Sequence, residues 1–127
     1  MVSSFFQNSI YVRVARNGLR VRHIEWNREG TFLASPPFTT QRLLVGEFTT
    51  AESLLKRALK EVSTRGFLSA APHVLIQPLE MIEGGLSEVE ERVLRELAIG
   101  GARASKVVVW VGEQLDDAAV KAKLYDR

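Results

Sequence analysis

Few side chains in this sequence stand where they could do chemistry together. Arg13, Arg20 and Arg22 would share one face of a hairpin and form a cationic patch. Glu113, Asp116 and Asp117 would form an anionic edge near the C-terminus. Patches of opposite sign on one chain suit contact with a charged partner or with a second copy. Catalytic constellations are harder to find. The chain has no cysteine, which removes thiolate nucleophiles, thiolate metal sites and a disulfide framework. Two histidines, His23 and His73, are too few for a histidine-built zinc site. Glu80 and Glu83 are close in sequence but have no carboxylate partner in residues 9–16, so a two-metal nuclease centre is not expected. No nucleophile–base pair, metal-ligand cluster or phosphate loop is legible. The expectation is therefore no enzyme, no cofactor and no metal.

The elements that must carry these residues are read from periodicity. Ile10, Val12 and Val14 alternate with Tyr11, Arg13 and Ala15, as in a half-buried strand. Asn17-Gly18 is a hairpin signal, and Leu19 to Trp26 reads as the returning strand. A turn on Asn17-Gly18 pairs Val14 with Val21 and sets Arg13 opposite Arg22. A third short strand, Thr31 to Ala34, stops at Ser35-Pro36-Pro37, and residues 38–48 read as an irregular connection. Thr49-x-x-Glu52 and Ser87-x-x-Glu90 are capping boxes. Each precedes apolar residues at helical spacing, and the helices are expected to end at Gly66 and at Gly100-Gly101. His73 to Gln77 and Lys106 to Val111 are apolar runs that read as buried parallel strands. The last helix runs from about Asp116 to Tyr125, with Leu115, Ala118, Ala119 and Ala122 inward. His23 reads as a hydrogen-bonded core residue and His73 as a surface residue.

The order is β-β-β-α-β-α-β-α: a three-stranded antiparallel meander followed by two βα crossovers. It implies an α/β fold with a mixed five-stranded sheet and helices on both faces. This is the layout of a ribonuclease-H-like, or actin-like ATPase, half-domain. The 127 residues, 46% of them hydrophobic, make one domain, 1–127, with a core of its own. Residues 1–7 are expected to form a flexible N-terminus. Seventeen basic and fifteen acidic residues are too balanced for a nucleic-acid binder. The balance is uneven: residues 1–65 carry ten Lys/Arg and five Asp/Glu, residues 66–127 seven and ten, which suits self-association. No apolar run spans a membrane. Phe5-Phe6 without a nearby basic residue makes membrane contact unexpected, and cytoplasm is the expected compartment.

One stretch resembles a known family. Val89-Glu90-Glu91-Arg92-Val-Leu-Arg95-Glu96, continuing to Gly101-Ala102-Arg103, is similar to the "VERRAI-RE-A-x-x-x-GAR" helix of bacterial actin-like cell-shape proteins of the MreB family. The preceding Pro72-His73-Val74-Leu75-Ile76-Gln77-Pro78 looks like that family's "PRVLVCVP" strand. Glu47-Phe48-Thr49-Thr50-Ala51-Glu52 resembles its "ADF-x-x-TE". The likeness is specific over about residues 72–113. It implies a half-domain with the ATP chemistry gone. No acidic residue stands at Tyr11 to Arg13, where the family has its metal-binding aspartate. The turn at Ala15-Arg16-Asn17-Gly18 has one glycine and no following threonine. Glu90 aligns with the family's water-positioning glutamate, but a capping box needs a glutamate there anyway.

The expected function is thus a non-catalytic, truncated actin-like domain. It would act as a structural or regulatory protein-interaction module linked to bacterial cell shape. Its partner would be an actin-like filament protein or a second copy, contacted through Arg13, Arg20, Arg22, Glu113, Asp116 and Asp117. The alternative is a nucleotide- or small-ligand-binding module at the C-terminal ends of the strands. Its pocket would be framed by the Leu79 to Gly85 loop and Gly100-Gly101.

Overall fold

The computed structural model describes residues 7–63 and 71–126. Five strands and three helices follow in the expected order. They are β1 (Ser9–Ala15), β2 (Gly18–His23), β3 (Arg28–Leu33), α1 (Phe48–Val62), β4 (His73–Pro78), α2 (Glu88–Ala102), β5 (Lys106–Val109) and α3 (Asp117–Tyr125). The strands form one mixed sheet in the order β3-β2-β1-β4-β5. β2 is antiparallel to β1 and to β3, whereas β4 is parallel to β1 and to β5. The crossovers β3–α1–β4 and β4–α2–β5 both step toward the β5 edge.

Alternation along the strands divides the core between the two faces of the sheet. Ile10, Val12, Val14, Leu19, Val21, Val74 and Ile76 point to one side and pack with Leu54, Leu55 and Ala58 of α1 and Leu94, Leu97 and Ala98 of α2. Phe38, fully buried, is the plug supplied to that core by the irregular 34–47 connection. Tyr11 and Leu75 point to the other side and meet Val120 and Leu124 of α3. Burying one such leucine contributes roughly 1.5–3 kcal/mol. The first face carries most of that stabilisation, because two helices cover it against one on the second.

The helix starts separate real from apparent caps. Ser87 Oγ accepts from Glu90 N at 3.2 Å while Ser87 N donates to Glu90 Oε1 at 2.9 Å, so this capping box forms as expected. The Thr49 box does not: α1 starts earlier, at Phe48, with Glu47 as a cap residue lacking a side-chain bond. Glu52 instead lies over Gly100. Gly100 and Gly101 do not end α2; the helix runs through them to Ala102 and Arg103 caps it in a left-handed conformation at φ 57°. A Cβ at Gly100 would fall on the Glu52 carboxylate, and one at Gly101 would lie 2.8 Å from Leu55 Cδ2. These glycines let α1 and α2 approach closely. α1 ends at Val62; the expected stop at Gly66 lies outside the described residues, as do residues 1–6.

Two further expectations are corrected. The first hairpin turns on Arg16-Asn17, with Ala15 opposite Gly18, Val14 opposite Leu19 and Arg13 opposite Arg20. Both registers keep every side chain on its face, so periodicity cannot choose between them. Tertiary bonds hold the observed one. Asn17 Oδ1 accepts from the amides of Phe38 (3.0 Å) and Thr39 (2.8 Å), and Asn17 O accepts from Ala34 N. Leu115 packs against the second core as expected, but in α3 the buried residues are Val120 and Leu124, while Ala118 and Ala122 are exposed. The charged neighbours on that stripe, Asp117 and Lys121, face ionic partners across the sheet. At the β5 edge, Arg95 of α2 donates to the Val107 carbonyl at 3.0 Å and pairs with Glu91.

Candidate functional site

α3 covers only the β1, β4 and β5 part of its face, so the β2–β3 half of that face lies open. Cross-strand register places Arg13 beside Arg20, Arg20 beside Thr31, and Arg22 beside Glu29. Arg13, Arg20, Arg22, Glu29 and Thr31 line a shallow groove here. The three arginines do share one face, as their spacing implied. Their partners differ. Arg22 is held in a bidentate fork by Asp117, Nε to Oδ1 and Nη2 to Oδ2, both at 2.7 Å. It also pairs with Glu29 at 3.0 Å and donates to Asn27 Oδ1. The bond from Arg22 draws the Asp117 carboxyl below its ordinary range. Arg13 lies over the Tyr11 ring, 5.4 Å from its centroid. Arg20 is exposed. Like charges directly opposite each other are unfavourable in a ladder, and among the described residues neither Arg13 nor Arg20 is in an ion pair.

The acidic residues sit next door for a structural reason. Tyr11 donates to Gln77 Oε1 and accepts from Leu115 N at 3.1 Å. Gln77 Nε2 donates to the Gly112 carbonyl at 2.7 Å and to that of Glu113 at 3.4 Å. Trp110 Nε1 donates to the Glu113 carbonyl at 2.8 Å, and Lys123 Nζ lies 4.0 Å from the Trp110 ring centroid. These bonds pin the loop between β5 and α3 to the sheet. Gln77 is the β4 neighbour of Arg13, so the pinned loop abuts the arginine row. Asp116 caps α3, accepting from Ala119 N at 2.8 Å. Of the six residues singled out by charge, Arg22 and Asp117 therefore bind each other, Asp116 is a cap, and Arg13, Arg20 and Glu113 remain without an ionic partner among the described residues. Trp110 is half-buried: it packs against the second core and lies under Lys123.

The opposite end of the parallel strands holds a polar network that periodicity did not reveal. Glu25 accepts from Ser9 N and Ser9 Oγ, both at 2.7 Å, and from Lys121 at 3.1 Å. Tyr125 Oη is 2.7 Å from Ser9 Oγ. Burial pushes the Glu25 carboxyl up, but the hydrogen bonds from Ser9 and Lys121 outweigh it and its pKa lies below the ordinary value. His23 is buried. Trp26 N donates to its Nδ1, so Nε2 carries the proton shared with Asn8 Oδ1 at 2.7 Å. Burial lowers its pKa. His73 is not a simple surface residue: it is half-buried and stacks on Tyr125 with ring centroids 4.9 Å apart. Burial and the Lys106 charge lower its pKa.

At the C-terminal ends of the strands the room is small. Leu43, Val45, Met81, Leu86 and Val93 line a half-open apolar depression with room of about 20 Å³, enough for one water. Glu80 and Glu90 also line it; Glu80 pairs with Arg16, and Glu90 is held by Ser87. Gly100 and Gly101 lie in the last turn of α2, about 18 Å along the helix from its start at Glu88, so they do not join the Leu79 to Gly85 loop in framing one pocket. Among the described residues no cluster of His, Cys, Asp or Glu could hold a metal, and no helix is long and apolar enough to cross a membrane.

No protein-family model matches the sequence. It is 36% identical over 123 residues to the uncharacterized protein YjaA of Escherichia coli (strain K12), an alignment covering 91% of this chain and 95% of that protein.

Proposed function

We infer a protein-interaction role for this chain, which belongs to the family of the uncharacterized protein YjaA. In this reading it is a non-catalytic module that receives a partner on the open half of its sheet. The observation that carries the reading is the Arg13–Arg20 cross-strand pair at the border of the open half of the sheet, in no ion pair among the described residues, with a pinned acidic loop beside it. A cationic face left open by the fold suits an acidic or bipolar protein surface. Elements on the other face are closed by two helices and leave no comparable surface among the described residues.

The finer fold reading is a half-domain of the ribonuclease-H-like, actin-like type. Its support is the element order, with a three-stranded meander followed by two crossovers. The likeness of residues 72–113 to MreB-type proteins adds the reading of a cytoplasmic accessory to cell-shape filaments. In that reading the open face stands where the missing half would dock. Glu90 is a capping residue, and ATP hydrolysis is not expected.

Affinity retention from lysate at moderate salt tests the reading, with the chain and its R13E/R20E variant as parallel baits. The expected result is a set of retained proteins, actin-like filament proteins among them, that the variant loses. An identical set on both baits overturns the interaction face. A saturable heat on titration with Mg-ATP would move the function to the ligand-binding alternative.

A further inference from the structure

The partner on this face can be named by its chemistry, and that step rests on the interaction-face reading above. We propose that the face receives a second copy of this chain across a two-fold axis. The Glu113 loop of each copy then lies against Arg13 and Arg20 of the other.

A two-fold contact needs one patch that complements itself. This face has that property. The basic row and the acidic loop lie side by side because Gln77, next to Arg13 in the sheet, binds the Gly112 and Glu113 carbonyls. The loop is fixed by its backbone, so the Glu113 carboxylate is carried on a rigid support while its side chain stays exposed and outside any ion pair among the described residues. The arginine row shows the complementary deficit. Arg22 has its carboxylates from Asp117 and Glu29; Arg13 and Arg20 have none among the described residues. A uniformly acidic partner would satisfy the arginines but would set its own charges against Glu113 and Asp116. A second copy, rotated by half a turn, places each sign against its opposite twice.

An apolar group that such a contact would cover is present. Leu33 faces the same side of β3 as Thr31 and is 74% exposed; it leans over Gly18, where a Cβ would lie 3.3 Å from its Cδ2. A net charge of only +2 leaves little overall repulsion between copies.

Sedimentation of the full chain over a wide concentration range, at low and high salt, reads the proposal out. The expected result is a dimer that weakens as salt rises. R20E and E113R should each weaken it by tenfold or more, since each change places like charges together at both contacts. Both residues are exposed, and circular dichroism checks that the variants fold. Mixing R20E with E113R should restore a heterodimer, because each variant keeps the native half that the other has reversed. A chain that is monomeric throughout overturns the second copy. So does a dimer indifferent to R20E, or a mixture that does not recover. A monomer whose retained proteins are lost with R13E/R20E leaves the interaction face standing with an acidic foreign partner. A monomer whose retained proteins are unchanged removes both.

Discussion

Gly101→Ala adds a single methyl group where α1 and α2 touch. Built on the backbone, the new Cβ lies 2.8 Å from Leu55 Cδ2, 3.0 Å from Leu55 Cβ and 3.1 Å from Leu55 Cγ. Leu55 is fully buried, so its Cδ2 and Cγ have no free space to swing into. Overpacking of this kind costs roughly 1–3 kcal/mol. The exchange also removes a helical glycine, which stabilises by up to about 1 kcal/mol. The net expectation is a destabilisation of about 0–2 kcal/mol. Leu55→Ala alone empties a fully buried site and should cost about 2–5 kcal/mol. In that background two of the three close atoms are gone and the methyl added by G101A fills part of the void. G101A should there be stabilising by about 1 kcal/mol, so the double variant should be more stable than the sum of the singles by about 1–3 kcal/mol. Urea unfolding of the four proteins, followed by far-UV circular dichroism, measures this cycle, provided the m-value is unchanged. Additivity within about 0.5 kcal/mol would refute the account of Gly101 as the contact that lets the helices approach.

Three other outcomes are expected. Tyr11→Phe strips Gln77 and Leu115 N of a buried partner and should cost about 1–3 kcal/mol; hydrogen exchange should quicken in residues 110–115 and not in α1. Ser87→Ala should cost about 1 kcal/mol, whereas Glu90→Gln, which can complete the same box, should leave the urea midpoint unchanged. Acid should destabilise the fold in two stages. His23 and His73 have pKa values below the ordinary 6.5, so the unfolded chain takes up protons first and stability falls as pH drops below about 6.5. Glu25, lowered from 4.5, adds stability above that value that is lost as pH falls through its folded pKa. An H23Q/H73Q variant should show the second stage without the first, and an unaltered midpoint-versus-pH curve would contradict the assignment.

What was legible in the sequence is what is local. The Ser87 box, the proline-bounded strand at 73–78 and the alternation of β1 each depend on residues within one turn or one strand, and each forms. Element order and the mixed sheet followed from them. Charge spacing also placed the three arginines on one face. The misreadings share another cause. Asn17-Gly18 offered a good turn, but Asn17 is held by residues 38 and 39, which no local rule contains. Gly100-Gly101 had the composition of a helix end; contact with α1, distant in sequence, gave the pair a packing role. The α3 stripe looked apolar through its alanines, while the buried residues are Val120 and Leu124, flanked by Asp117 and Lys121, which are matched to Arg22 and Glu25 far away in sequence. For the same reason the six charged residues were legible as a set, but not which of them already bind one another.

The guanidinium that Arg95 lays on the Val107 carbonyl has a consequence for how this sheet can grow. Its two borders are unequal. β5 is four residues long and carries that cationic stopper, whereas β3 is six residues long with Leu33 bare beside it. Strand addition therefore has one open terminus and one plugged terminus. Filament growth by edge pairing requires every unit to accept a neighbour on both sides. A unit that accepts on one side only halts at a pair, so edge pairing alone cannot extend this sheet without limit.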